Sequence, residues 1–66
     1  MRIEVNGRQR DVAAETLQNL LRELGYGEGQ KIGTALNHEF VRDRDRAVTP
    51  LREGDAVEIV TPRQGG

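Results

Sequence analysis

Thr16-Leu17-Gln18-Asn19-Leu20-Leu21-Arg22-Glu23-Leu24-Gly25 holds the clearest periodicity in the chain. Leu17, Leu20, Leu21 and Leu24 recur at i, i+3, i+4 and i+7, which places four leucines on one stripe of a helix. Thr16 is a fitting N-cap, because its hydroxyl can accept an orphan backbone N–H. Gly25 suits the left-handed residue that closes a helix. The element is therefore short and bounded, and its stripe needs an apolar surface to cover.

The flanks supply that surface as strands. Upstream, Ile3 and Val5 alternate with Arg2, Glu4 and Asn6, the period of a strand with one buried face. Asn6-Gly7 provides two residues tolerant of positive φ, as a type I′ turn requires, so Arg8 to Val12 is expected to return antiparallel. Downstream, three glycines in the five residues 25–29 favour a loop. Ile32, Thr34 and Leu36 alternate around Gly33 and Ala35 as a third strand, and Asn37-His38-Glu39 turns the chain into a short fourth at Phe40-Val41. Phe40 is expected in the core, and Tyr26 at the core edge or on a contact surface. Arg42-Asp43-Arg44-Asp45-Arg46 alternates in sign without an apolar residue, which predicts a surface loop or a single helical turn; such a run can dock an acidic partner, but more often it is simply a solvated segment and carries no mechanism on its own. Leu51-Arg52-Glu53-Gly54-Asp55 anchors one leucine and reverses the chain into Ala56 to Thr61, with Leu51, Val57 and Ile59 in the core. Pro62 cannot donate a ladder hydrogen bond, so pairing should weaken there. These elements make an α+β domain over residues 1–61, with the leucine stripe on one sheet face and a flexible tail over 62–66.

Composition removes whole classes of function. The 66 residues, 35% hydrophobic, suffice for one small core, since chains this short bury only about 60% of their unfolded surface. Ten Lys and Arg against eleven Asp and Glu leave a net charge of −1, a poor basis for binding nucleic acid. There is no cysteine, hence no disulfide, thiolate nucleophile or thiolate-bound metal. Any sulfur handled here must come from outside. No apolar run is long enough for a signal peptide or membrane span, so the expected location is the cytoplasm. One histidine, His38, in a turn and without partners, forms neither a metal site nor a triad, and an autonomous enzyme is not expected. No phosphate-loop spacing occurs among the glycines.

What remains is the ending, Gly65-Gly66. Five residues from Pro62 at about 3.3 Å each can reach roughly 16 Å from the sheet. Two glycines let an extended backbone pass a narrow channel, with the Gly66 carbonyl open to attack from either side. A carboxylate is a poor electrophile, so acyl chemistry at Gly66 requires activation as an adenylate by another protein. A nucleophilic sulfur can then displace AMP, which makes the domain a group carrier. Taken alone, a terminal diglycine is equally what a frayed chain end presents.

With the rest of the chain, the pattern resembles the ThiS family, sulfur carrier proteins of thiamine biosynthesis with the ubiquitin-like β-grasp fold. The resemblance runs through Ile3-Glu4-Val5-Asn6-Gly7, Thr16-Leu17 and Leu20-Leu21, Ala35-Leu36-Asn37, Leu51 to Val60 and the closing Gly65-Gly66. It implies a mixed sheet of four to five strands with one helix across a face, and first and last strands paired in parallel at its centre. It further implies that Gly66 is the reactive carboxylate, adenylated and converted to a thiocarboxylate, and that Gly65 keeps the tail slim for entry into an active site. The implied partners are a ubiquitin-activating-like adenylyltransferase (ThiF-like), a thiazole synthase (ThiG-like) and a sulfur donor such as a cysteine desulfurase. No cofactor or metal is expected on this chain; ATP and magnesium belong to the activating partner, and neither nucleic acid nor membrane is an expected partner. The other readings are a carrier for molybdopterin or tRNA thiolation, a ubiquitin-like modifier, or a passive β-grasp interaction module. The chain departs from the family after Val41, where relatives often carry a proline and an aromatic residue; here stand Arg42 and, near the aromatic position, Arg46.

Overall fold

A computed structural model describes residues 1–27 and 29–62. The chain runs β1 (Arg2–Val5), β2 (Arg8–Asp11), α1 (Leu17–Glu23), β3 (Gly33–Leu36), β4 (Glu39–Val41), a 3-10 helix (Asp43–Val48) and β5 (Ala56–Val60). Five strands form one sheet in the order β2-β1-β5-β3-β4. The pair β1–β5 is parallel and the other three are antiparallel. This mixed sheet with the last strand at its centre is the topology that the resemblance implied and that local patterning could not supply.

Local chemistry accounts for the boundaries. Asn6 and Gly7 sit at φ 50° and 83°, the two left-handed positions of the expected hairpin turn. Thr16 Oγ1 accepts from the Asn19 amide, 3.2 Å away, as a helix N-cap. At the other end Gly25 takes φ 95°, its amide donating to Arg22 O while that of Tyr26 donates to Leu21 O. These two bonds make the Schellman closure of α1. A second left-handed pair, Asn37 and His38 at φ 50° and 72°, turns β3 into β4.

Alternation puts Ile3, Val5, Val57 and Ile59 on the inner sheet face, where they meet Leu17, Leu20 and Leu21 of α1. Val12, Ala14 and Leu51 close the margins of this core. The helix start is tied down from outside: the Leu17 amide donates to Thr49 O and the Leu51 amide to Glu15 O. Glu23 accepts from the Ala13 and Ala14 amides, holding the β2–α1 connection against the helix.

Two asparagine side chains hold the central strand. Where β1 ends, the ladder from Glu4 and Asn6 amides to Asp55 and Val57 carbonyls is continued by the Asn6 carboxamide. Its Oδ1 accepts from the Ile59 amide at 2.8 Å and its Nδ2 donates to the Ile59 carbonyl at 3.1 Å. Asn37 does the same for Ala56, its Oδ1 accepting from that amide at 2.9 Å. Asn6→Gly keeps the left-handed backbone available and removes only the carboxamide. It is expected to lower stability by about 1–3 kcal/mol, since a part-buried strand amide and carbonyl lose their partners. Urea unfolding monitored by far-UV circular dichroism measures the change.

The structure corrects two expectations. Phe40 is 72% exposed and not in the core. It pairs with Ala35, one position off the row in which Thr34 meets Val41, so the pleat turns it to the outer face. Arg46 is buried, although the charged run around it was expected on the surface. The segment does form helical turns, and these carry Arg46 over β3. There its Nε donates to Thr34 Oγ1 at 3.0 Å and its Nη2 to Ile32 O at 2.9 Å. Tyr26 is half-buried against the core, at its edge.

Candidate functional site

The site is built around the outgoing end of β5. Val57 and Ile59 are buried, and the asparagine side chains clamp Ala56 and Ile59, so β5 is a fixed rail. Val60 is the last strand residue and faces outward, 65% exposed, paired with Gly33. An added Cβ at Gly33 would lie 3.0 Å from Val60 Cγ2, so glycine there lets the strands pass closely. Thr61 and Pro62 follow, both exposed. The expected site residues Gly65 and Gly66 lie outside the described residues.

Around this exit the surface is divided in two. The outer sheet face carries Ala35, Phe40 and Val60, with Glu58 opposite Ala35. Beside it lies a groove of about 720 Å³ between α1, residues 26–27 and 29–32 and the 3-10 helix, lined among others by Tyr26, Lys31, Ile32, Phe40, Arg42 and Arg44. Arg46 lines it too. Sequence reading singled out the Arg42 to Arg46 run but missed the burial of Arg46 and this groove. The available signal was Thr34, a polar residue in step with Ile32 and Leu36 on the inner face. It is 2% exposed and its hydroxyl donates to Val41 O at 2.8 Å, which leaves its lone pairs to be met by a donor from elsewhere.

The described residues hold no group of three His, Cys, Asp or Glu side chains placed to bind a metal ion. His38 is exposed, its Nδ1 3.8 Å from Glu58 Oε1, and this pair belongs to no such group. No helix among the described residues is long and apolar enough to cross a membrane. What the body offers is a rigid strand, an outward exit and two dissimilar surfaces beside it.

Residues 3–66 match the family model described as the ThiS family, a span that includes the final diglycine. The chain belongs to the ThiS family. A sulfur carrier protein ThiS from Thermus thermophilus is 37% identical over 62 residues, which cover 94% of this chain and 95% of that protein. The fold matches the crystal structure of a thiamine biosynthesis protein (ThiS) from Geobacter metallireducens with a TM-score of 0.83 at 30% identity, each chain covered fully. A solution structure of a thiamine biosynthesis protein from the same organism gives a TM-score of 0.81 at 28% identity, covering all of this chain and 88% of that one. The ThiS fold thus has here the five-stranded β-grasp sheet described above.

Proposed function

We propose that this ThiS-family chain is a cytoplasmic sulfur carrier whose reactive group is the Gly66 carboxylate. The observation that carries the reading is a family match that extends through Gly65-Gly66, on a fold whose central strand exits at the surface beside exposed Thr61 and Pro62. A ubiquitin-activating-like partner uses ATP, with magnesium, to adenylate Gly66: a carboxylate oxygen attacks the α-phosphorus and pyrophosphate leaves. The terminal sulfur of a persulfide on a sulfur donor such as a cysteine desulfurase then attacks the acyl carbon, AMP leaves with its electron pair, and a thiol reductant supplied by the partners cleaves the resulting acyl disulfide. The product is a thiocarboxylate that a thiazole synthase consumes as its sulfur source. This chain contributes recognition and presentation, and the bond-making machinery belongs to its partners.

The test is intact mass after incubation with the cognate adenylyltransferase, ATP and a sulfur source. The expected result is exchange of one terminal oxygen for sulfur. A chain that emerges unmodified, or joined to lysines of other proteins through Gly66, sinks the carrier reading. Thiamine auxotrophy on deletion with molybdoenzymes and tRNA thiolation intact assigns the pathway.

A further inference from the structure

We propose that the groove beside the β5 exit is a docking site for an acidic segment of a partner protein, with Arg46 as its buried cationic floor. This deepens the carrier reading and rests on it for the partner's identity. Besides Arg22, four basic residues line the groove, Lys31, Arg42, Arg44 and Arg46, and one described carboxylate, Asp43. That concentration stands out in a chain whose net charge is −1. Asp43 is already engaged, its Oδ1 accepting from the Arg44 amide at 2.7 Å.

The decisive group is Arg46. It is 8% exposed, and its hydrogen-bond partners among the described residues, the Thr34 hydroxyl and the Ile32 carbonyl, are both neutral. A buried guanidinium satisfied only by neutral acceptors retains a strong preference for a carboxylate, since desolvation of its charge is unrecovered. The groove is where one can reach it. Position selects the occupant: Ile32 lines the groove, and the next residue, Gly33, pairs with Val60 at the end of β5. A protein that grips the outgoing end of β5 therefore has the groove close at hand. Chemistry narrows it further, because exposed Phe40 and half-buried Tyr26 flank the cations and suit an apolar side chain among the acids. Nucleic acid fits less well, since its affinity comes from many neutralised phosphates and the chain as a whole carries a net charge of −1.

The experiment is calorimetric titration of the full chain with the cognate adenylyltransferase without ATP, so that no chemistry intervenes. Arg42 and Arg44 are exposed, so R42E/R44E should keep its fold, checked by circular dichroism. The expected result is at least about tenfold weaker binding, or about 1.4 kcal/mol, together with a flatter salt dependence. Affinity within about twofold of the parent overturns the proposal, whatever Gly66 does. If the parent chain does not bind the enzyme, the carrier reading is what fails, and a short peptide of alternating Glu and Phe then tests the groove alone. A shift of the Arg46 Nε–H resonance that R42E/R44E loses supports docking. No shift, or tighter binding of a single-stranded RNA hexamer than of the peptide, overturns it.

Discussion

Deleting Gly66 is expected to abolish sulfur loading while leaving the folded domain untouched. All ten buried apolar residues described lie between Ile3 and Ile59, so the deletion removes nothing from the described core. Stability by urea unfolding should stay within about 0.5 kcal/mol of the parent. The chemistry is different, because removing one residue withdraws the terminal carboxylate by about 3.3 Å from wherever the partner's machinery expects it. Misplacement of a reacting atom by about 1 Å can already cost about 10²-fold, so a loss beyond that figure is expected in single-turnover adenylation measured as pyrophosphate release. Gly66→Ala keeps the length but adds a Cβ beside the acyl carbon, and should lose a smaller but large factor. Undiminished pyrophosphate release from both variants would falsify the role given to Gly66.

How much of this was legible in the sequence follows from how local each determinant is. The helix was, because the period of its leucines, its Thr16 cap and its Gly25 closure all fall within ten residues. The Asn6-Gly7 hairpin was too, since a pair of left-handed positions is written in residue type. The parallel pairing of β1 with β5 was not: Val5 and Val57 meet across most of the chain's length, and no local period records which strands are neighbours. Only the family resemblance supplied it. The same nonlocality misplaced Phe40. An aromatic residue in a strand usually finds a buried face, but in the edge strand β4 the face is decided by register with β3, and Ala35 sits opposite.

Arg46 was misread for a different reason. Its neighbours Asp43, Arg44 and Asp45 are exposed, so a window average reports a solvated run. A 3-10 helix brings every third residue to one side, and the residue brought inward is the one with a long stem and a fork of donors. Thr34, twelve positions earlier, is its complement. The proposed site, Gly65-Gly66, was read from composition and position alone and lies outside the described residues. The surface that would guide a partner to it was not, because it is assembled from the helix, a loop and the 3-10 segment.

The second large effect concerns the body that carries the tail. Leu20 is 0% exposed at the centre of the α1 stripe, packed in the cluster with Ile3, Val57 and Ile59. Leu20→Ala removes its apolar contacts and leaves a cavity that a seven-residue helix, pinned at Thr16 and Gly25, has little freedom to collapse. The cost should be about 3 kcal/mol or more. At about 0.05–0.15 kcal/mol per residue the whole domain has roughly 3–10 kcal/mol to lose, so the variant sits near its unfolding threshold. The midpoint of thermal unfolding should fall by roughly 10–25 °C, read by circular dichroism. Its sulfur loading should then track the folded fraction, because for a partner that recognises only the folded body the apparent Kd is the intrinsic Kd divided by that fraction. Cooling the assay should restore loading in Leu20→Ala and leave the Gly66 deletion dead at every temperature. A Leu20→Ala chain that unfolds as the parent does would show that the leucine stripe is not what holds the sheet together.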